Sequence, residues 1–375
     1  MVEWKTIDDI STNVFAGGTP STKHEEYYDG DIPWIRSGEI DFNTITKAER
    51  NITQEGYNNS SAKLIRSGSV VMAMTGATVA KSAIVEFETS ANQSVCAIET
   101  DESIANYKYV YFYLSKDYFK IKSSAQGALT SLNLAMIKQI VIPIPSLEEQ
   151  TRIVGILDTF TSAIDNLKEQ IAQRRKQYEY YRDQLLDFEG KPGVKMKTLG
   201  EVGDVCMCKR IMKEQTSENE EIPFFKIGTF GSQADAFISR DLFEEYKSKY
   251  SYPKKGEILI SASGTIGRSV VFDGEDAYYQ DSNIVWIAND EKVVTNRYLY
   301  YFYQVADWKV DGGTIKRLYN YNLKNTTIPL PPLSEQQRIV SILDTFEASI
   351  QNLEAQLKER EKQYEYYRNK LLTFE

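Results

Sequence analysis

Two long stretches of the chain place apolar residues at alternating steps of four and three, the 3.5-residue period of a coiled-coil helix. Proline-rich sequence precedes both stretches, and Gly190-Lys191-Pro192-Gly193 follows the first. Each stretch is therefore predicted to form one helix of about 40 residues, roughly 60 Å long at 1.5 Å per residue. The periodic positions are Ile153, Leu157, Phe160, Ile164, Leu167, Ile171, Arg174, Tyr178, Tyr181, Leu185 and Phe188, then Ile339, Leu343, Phe346, Ile350, Leu353, Leu357, Arg360, Tyr364, Tyr367, Leu371 and Phe374.

The two stretches are copies of one sequence. Residues 142–189 return as 328–375 at an unbroken offset of 186 residues. About 30 of the 48 positions are identical, which is more than chance produces. Arg174 and Arg360 interrupt the apolar period at matching places, either as solvated residues at its edge or as a polar device that fixes the helix register.

Identity between the copies extends to polar positions outside the periodic stripe. Helix packing constrains only the stripe, so these residues predict an outer surface that binds the same partner twice. The residues predicted to bind that partner are Glu149, Gln150, Arg152, Gln336, Arg338, Tyr180 and Tyr366.

The segments that precede the copies resemble each other only loosely. Strand-like runs occur at 70–74, 83–85, 95–98, 258–260 and 283–287, and helical patterns at 107–120 and 297–308. Each segment is therefore predicted to be a compact domain of mixed helices and strands. The predicted boundaries are residues 1–145 and 190–331 for the two variable domains and residues 146–189 and 332–375 for the two helices.

Connectivity predicts the relative direction of the helices. The first helix leads into the second variable domain and the second helix leaves that same domain, so helices that pack along their stripes must run antiparallel. The predicted fold class is α+β, with two mixed domains separated by an antiparallel coiled coil and related by a pseudo-twofold axis.

The charge argues against strong DNA binding by the chain alone. Its net charge is −9, and lysine and arginine contacts to phosphate supply most non-specific affinity for DNA. The three cysteines cannot form a disulfide framework, which fits a reducing compartment. The sequence shows no signal-peptide pattern and no apolar run of roughly 18 residues, so we expect a cytoplasmic, non-membrane protein.

Candidate catalytic chemistry is scarce. The single histidine, His24, stands between solvated charges and is either a surface residue or a catalytic base. Residues 75–82 contain the lysine and serine of a P-loop, but Thr75 and Ala80 occupy the positions where that motif needs glycine. Cys206-Met207-Cys208 is too tightly spaced for the usual zinc-binding pair. The prediction is that the chain has no catalytic residue and no metal site.

The whole pattern resembles the specificity subunit of type I restriction-modification systems. Its most specific element is Pro-x-Pro-x-Leu-x-Glu-Gln, found at 143–150 and 329–336, and residues 17–21 are similar to a frequent motif of the family's first variable domain. The resemblance implies that each variable unit is a target recognition domain that reads one half of a split site on double-stranded DNA. It also implies that the helices set the unread gap between the halves.

The same resemblance implies partners that carry the chemistry. Two modification subunits would methylate adenine with S-adenosylmethionine, and two restriction subunits would supply an ATP- and Mg²⁺-dependent nuclease and translocase. The chain itself would then be non-catalytic and hold no cofactor.

Polar and basic loop residues are the candidates for DNA contact. In the first domain they are Thr19, Ser21, Arg36, Lys81, Gln126, Thr130 and Ser131. In the second domain they are Lys209, Arg210, Lys226, Arg268, Lys316, Arg317 and Tyr319.

Three alternatives remain open on the sequence. The chain could be a coiled-coil adaptor that binds only proteins, which its acidity favours. It could be an enzyme with an unrecognised site. It could also serve a system that methylates DNA without a restriction subunit.

Overall fold

The two repeated segments form the longest helices among the described residues, and each follows a short strand of the domain before it. The computed structural model describes residues 2–125, 131–313 and 316–374. It divides into two units, residues 1–168 with 355–375, and residues 169–354. Each unit combines a mixed domain with parts of both long helices, so the fold is α+β, as the sequence predicts.

The first unit contains the first mixed domain, the first part of one long helix and, from residue 355 on, the last part of the other. Its strands are β1 (Glu3–Thr6), β2 (Ser11–Ala16), β3 (Tyr28–Ile35), β4 (Thr44–Ile45), β5 (Arg50–Ile52), β6 (Ser69–Ala73), β7 (Ser82–Val85), β8 (Ser90–Ala91), β9 (Val95–Thr100) and β10 (Val141–Ile144). Its helices are α1 (Gln54–Asn58), α2 (Tyr107–Lys116), α3 (Tyr118–Ser123), α4 (Leu134–Lys138) and the first part of α5 (Leu147–Leu186).

A five-stranded sheet with the order β2-β9-β6-β7-β4 forms the centre of the first domain. Successive side chains of β6 point to opposite faces of this sheet, and both faces are covered. Val70 and Met72 belong to the core that includes α2, whereas Val71 and Ala73 pack with Ile35 of the three-stranded sheet β5-β3-β8. A strand that is buried on both faces has a continuous run of apolar residues. The runs predicted at 70–74, 83–85 and 95–98 correspond to β6, β7 and β9.

The second unit has a similar but not identical order of elements, with a short helix between its first two strands. Its strands are β11 (Lys195–Thr198), β12 (Gly203–Cys206), β13 (Ile222–Phe225), β14 (Phe237–Ile238), β15 (Ile258–Ser261), β16 (Ser269–Val271), β17 (Tyr278–Tyr279), β18 (Ile284–Asn289) and β19 (Thr327–Leu330). Its helices are α6 (Leu199–Val202), α7 (Arg240–Lys249), α8 (Asn296–Tyr303), α9 (Asn320–Asn325) and the first part of α10 (Leu333–Leu371).

The central sheet of the second domain has the order β12-β18-β15-β16. Ile258 and Ile260 face the core that includes α8, and Leu259 and Trp286 face the sheet β14-β13-β17. The helix predicted at 297–308 ends early at Tyr303, where the indole nitrogen of Trp308 donates to the Tyr303 carbonyl at 3.2 Å. The helix predicted at 107–120 is two helices, because Asp117 takes a non-helical ψ of 11°.

The two ends of each domain meet beside the start of its long helix. β1 pairs antiparallel with β10, which leads into α5, and β11 pairs in the same way with β19, which leads into α10. Proline lacks a backbone donor, and these two-stranded sheets accommodate Pro143 and Pro329 within the pairing. No helix in the described part of the chain combines the length and apolar character that crossing a membrane requires.

Candidate nucleic-acid interface and helix joint

The glycine-rich loop of the first domain passes close to a neighbouring backbone. A Cβ on Gly17 would lie 2.2 Å from the carbonyl oxygen of Ala91, so only glycine fits there. The next residue, Gly18, accepts a hydrogen bond from the indole nitrogen of Trp34 at 3.0 Å. This packing brings the Thr19 hydroxyl to the side chain of Gln93, to which it donates a hydrogen bond.

Thr19 and Arg36 line one cleft of about 390 Å³ together with Trp34 and Arg50. Arg36 forms an ion pair with Glu49. The cleft therefore carries two guanidinium groups, which suit phosphate contact, but the carboxylates of Glu25 and Asp29 line it as well. Sequence reasoning missed Arg50 because it lies in a strand, β5, rather than in a loop.

The other candidates of the first domain lie on separate loops. Lys81 forms an ion pair with Asp41, and its ammonium nitrogen lies 5.7 Å from the ring centroid of Phe42. Its loop contains a short 3-10 helix and connects β6 to β7, so it is the strand-connecting turn rather than a phosphate cradle. Ser21 is exposed and Ser131 is half-buried. Gln126 and Thr130 lie outside the described residues.

In the second domain one turn holds two of the candidate arginines. The Arg210 Nε atom lies 3.0 Å from a carboxylate oxygen of Asp281. Arg317 donates to the carbonyl and hydroxyl oxygens of Ser282, at 2.6 and 2.8 Å. Ser282 has a φ of 51°, a conformation that a non-glycine residue adopts at some strain. The structure thus attaches Arg210 and Arg317 to two adjacent residues of one strained turn.

The remaining candidates lie in the same domain and have other contacts. Lys316 is exposed, and the half-exposed ring of Tyr319 has its centroid 5.9 Å from the Arg317 guanidinium. Lys226 forms an ion pair with Asp235 at 2.8 Å. The Lys209 ammonium lies 5.2 Å from the ring centroid of Tyr250. Arg268 donates to the carbonyl oxygen of Phe230 at 2.9 Å, which fixes the direction of its guanidinium.

These contacts show how an acidic chain presents local basic groups. Lys81, Arg210 and Lys226 each have a carboxylate neighbour that balances their charge in the free protein. Exposed ion pairs of this kind contribute only about 0–1 kcal/mol, so a phosphate can replace the carboxylate without a large loss.

Two of the three thiols are buried, and the single histidine is exposed. Burial raises the pKa of Cys96 and of Cys208 to about 12, so both stay protonated at neutral pH. His24 is exposed, and its Nδ1 lies 2.7 Å from a carboxylate oxygen of Glu26. Across residues 2–125, 131–313 and 316–374, no group of three or more His, Cys, Asp and Glu side chains could hold a metal ion.

A buried glutamine attaches each long helix to its domain. Gln150 accepts a hydrogen bond from the Asn106 backbone nitrogen at 2.8 Å and donates to the carbonyl oxygens of Ile104 and Pro145, at 3.0 and 2.9 Å. Two turns further along α5, Asp158 accepts a hydrogen bond from the Lys108 ammonium at 2.8 Å. We call Gln150 and Asp158 the first helix joint.

The second helix has an equivalent attachment. Gln336 accepts from the Thr295 backbone nitrogen and donates to the carbonyl oxygens of Val293 and Pro331, each at 3.0 Å. Asp344 accepts from the Nε of Arg297 at 2.6 Å. Gln336 and Asp344 form the second helix joint.

The burial of the joint glutamines corrects one interpretation of the sequence. Gln150 and Gln336 were candidates for partner contact, but both are fully buried, and their amide groups bind the backbone of their own domain. The identity of these two residues between the copies is explained by domain attachment. Sequence periodicity could not show this, because it does not reveal which side of a helix the domain covers.

The other candidate partner residues are exposed, except Glu149, which is half-buried. Arg152 forms an ion pair with Glu149 at 2.6 Å, and Arg338 forms the matching pair with Glu335 at 2.7 Å. The hydrogen bond from Arg152 lowers the pKa of the Glu149 carboxyl below its usual value.

Apolar residues next to these pairs are also exposed. Leu147 and Leu333, at the starts of the two helices, are 40% and 42% exposed. Trp4 on β1 and Met196 on β11 are exposed as well. Each domain therefore has an apolar and charged surface at its helix start. Tyr180 and Tyr366, near the ends of the helices, are about 60% exposed.

A family model and curated relatives match this arrangement. Residues 1–174 and 192–361 each match the model of the type I restriction modification DNA specificity domain. A putative type I restriction enzyme specificity subunit of Haemophilus influenzae is 43% identical to the chain and aligns with 100% of the chain and 96% of that protein. A type I restriction enzyme specificity subunit of Methanocaldococcus jannaschii is 26% identical and aligns with 93% of the chain and 87% of that protein.

Solved structures share the fold. A chain from a study of complex assembly and conformational transition of the type I R-M system superposes with a TM-score of 0.63 at 20% identity, covering 99% of this chain and 97% of that one. The S subunit of a type I restriction-modification system from M. genitalium superposes with a TM-score of 0.62 at 15% identity, covering 100% and 97%.

Proposed function

This chain belongs to the family of type I restriction-modification DNA specificity subunits, and from that premise we propose that its two variable domains each read one half of a bipartite DNA site. The observation that carries the proposal is the duplication of a complete unit, in which two divergent domains are attached to near-identical helices through the same contacts. Two domains that recognise different DNA sequences but share one helical support require such a constant attachment and a variable domain.

We propose domain boundaries that follow the repeat. Residues 1–145 and 190–331 are the two target recognition domains, and residues 146–189 and 332–375 are the helices that separate them. The helices form an antiparallel coiled coil with a pseudo-twofold axis and act as a spacer. Matched ring contacts support this: Phe160 stacks on Tyr367 at 5.3 Å in one unit, and Phe346 stacks on Tyr181 at 5.4 Å in the other.

The DNA-reading surface of each domain is the loop region that holds its basic residues. In the second domain the strained turn at Asp281 and Ser282 orients Arg210 and Arg317, and Lys209, Lys226, Arg268, Lys316 and Tyr319 extend that surface. In the first domain, the cleft with Thr19 and Arg36 supplies the surface, and Ser21, Lys81 and Ser131 are further contacts. Gln126 and Thr130, outside the described residues, stay proposed contacts on the sequence alone. Guanidinium forks suit guanine edges and phosphates, while the ring of Tyr319 offers a stacking face.

The chain itself carries out no catalysis in this proposal. Two adenine-methyltransferase subunits, with their S-adenosylmethionine, bind the repeated surfaces at Glu149 and Arg152 and at Glu335 and Arg338. Two restriction subunits supply the ATP- and Mg²⁺-dependent chemistry. The exposed leucine and charged pair at both helix starts support two equivalent docking surfaces.

The test is a genome-wide map of N6-methyladenine in a host with and without this gene and the neighbouring methyltransferase gene. The expected result is a methylated motif with two specified halves and an unspecified gap, present only when both genes are. A motif without a restriction phenotype would identify a system that only methylates. Unchanged methylation with an expressed methyltransferase would contradict DNA recognition and favour a protein-binding adaptor, a reading that the net charge of −9 supports.

A further inference from the structure

The two helix joints hold residues that the duplication kept identical, although the domains they hold have diverged. We propose that these joints fix the angle of each domain on its helix and thereby set the one gap length that the protein accepts between the halves of its site. The inference rests on the proposed function. It makes Gln150, Asp158, Gln336 and Asp344 positioning residues that act on the spacing of the site rather than on its sequence.

The two glutamines bind backbone atoms of their domains, not side chains. Gln150 uses one acceptor and both amide donors on backbone atoms, two of which belong to the loop that enters α2. Gln336 makes the same three contacts, two of them with the loop that enters α8. Backbone groups are present whatever the domain's sequence, so a glutamine at this position can hold any domain of this family in the same way.

Each joint attaches the domain to its helix at two separate positions, the glutamine and the aspartate. Gln150 and Asp158 are eight residues apart on one helix, which places them about 12 Å apart along its axis. Ile153 and Leu157 lie between them and are fully buried. One contact would fix only the position of the domain on its helix. Two contacts with a packed apolar stripe between them also fix the tilt of the domain.

A tilt of the domain on its helix moves the loops that would read the DNA. The reading loops of a domain of this size lie roughly 20 Å from its attachment. A tilt of about 10° moves a point at that distance by about 3.4 Å, which is the rise of one base pair. A joint that resists small tilts therefore lets the protein discriminate between sites whose gaps differ by one base pair.

The two joints differ in strength. In the second, the Arg297 guanidinium binds both Asp344 and Glu347, and the Tyr301 hydroxyl donates to Asp344 at 2.6 Å. In the first joint, Asp158 accepts a hydrogen bond from the ammonium of Lys108. Thr161 stands at the position equivalent to Glu347, so the first joint has no second carboxylate there. A planar guanidinium fork restricts direction more than an ammonium does, so we expect the first joint to be the softer one.

The experiment measures methylation by the complex of the full chain with its methyltransferase subunits. The substrates are DNA duplexes that carry both half-sites at the native gap and at gaps one base pair shorter and longer. The variants are Gln150→Leu, which removes the amide contacts, and Asp158→Asn, a smaller change that removes the charge. The matched control is Asp165→Gln, an exposed position on α5 at which the second copy already has glutamine.

In both joint variants, the methylation rate at the native gap divided by the rate at the neighbouring gaps should fall by about tenfold. The half-site sequences should not change, and Asp165→Gln should keep the wild-type ratio. A loss of rate by one common factor at all three gaps would show a merely structural role and overturn the inference, as would an unchanged ratio. If the unmodified complex methylates no split site at any gap, the proposed function fails, and the inference with it.

Discussion

The guanidinium of Arg174 lies over the ring of Phe346, with its carbon 5.8 Å from the ring centroid. The residues at the matching places of the repeat, Arg360 and Phe160, make the same contact at the same distance. These arginines interrupt the apolar stripe, and each covers a phenylalanine of the other helix. A cation over an aromatic face is attracted to the ring and is directional, so it favours one helix register over its neighbours.

The first prediction concerns the rings under these arginines. Phe160→Ala should lower the free energy of unfolding by about 2 kcal/mol, because it removes a half-buried ring together with its contacts to Arg360 and Tyr367. Phe346→Ala should have a similar effect. Urea unfolding followed by circular dichroism measures both. Tyr180→Ala, at a largely exposed ring on the same helix, should change the free energy of unfolding by less than about 0.5 kcal/mol.

The sequence alone could predict the long helices because their signal is local and repeated. The period of four and three, the prolines before each helix and the unbroken offset define α5 and α10 nearly to their ends. The apolar runs at 70–74 and 258–260 likewise correspond to β6 and β15. The order of strands in each sheet could not be predicted, since it depends on pairing between segments that are distant in the chain.

The candidate site was less accessible to sequence reasoning. Asp281 and Ser282 orient two basic residues, but an acidic residue and a serine give no sign of a DNA-reading surface. Gln150 was visible as an identical position, yet its role depends on which side of α5 the domain covers. In both cases the missing information is tertiary: a residue acts through the group that folding places beside it.

The second prediction concerns the arginines at the strained turn. Arg210→Ala and Arg317→Ala should each weaken binding of the assembled complex to its own site by about 1–3 kcal/mol and relax specificity in the half-site read by the second domain. Fluorescence anisotropy over a panel of single-base substitutions measures both effects. Lys292→Ala removes a positive charge from an exposed loop that precedes α8 and should leave affinity and specificity unchanged. Relaxed specificity in the other half-site would contradict the assignment of this surface.

The third prediction concerns the length of the helices. Inserting seven residues into each helix keeps the apolar stripe aligned and lengthens the spacer by about 10.5 Å. The gap in the recognised site should then grow by about three base pairs, with both half-sites unchanged. Methylated-motif mapping in cells that carry the lengthened gene measures this. A new half-site sequence would contradict the spacer role. Insertion into only one helix should abolish activity, because the two helices then differ in length by seven residues.

The fourth prediction concerns the repeated surface at the helix starts. Leu147 is exposed beside the ion pair of Glu149 and Arg152, and Leu333 has the same setting in the second copy. If each surface binds one methyltransferase subunit, the double change Leu147→Asp and Arg152→Glu should leave a complex with one subunit, because it replaces an apolar contact and reverses a charge on one copy only. The same changes at Leu333 and Arg338 should remove the other. Native mass spectrometry counts the subunits directly.

A matched control is available on the same helix. Lys168→Glu reverses a charge on α5, but the second copy already has glutamate at that place, Glu354, so a surface shared by both copies cannot depend on lysine there. This variant should keep two bound subunits. Retention of two subunits by the Leu147 and Arg152 double variant would exclude the helix start as the docking surface. Loss of both subunits from a change in one copy would show that the two sites are coupled and would contradict independent, equivalent docking.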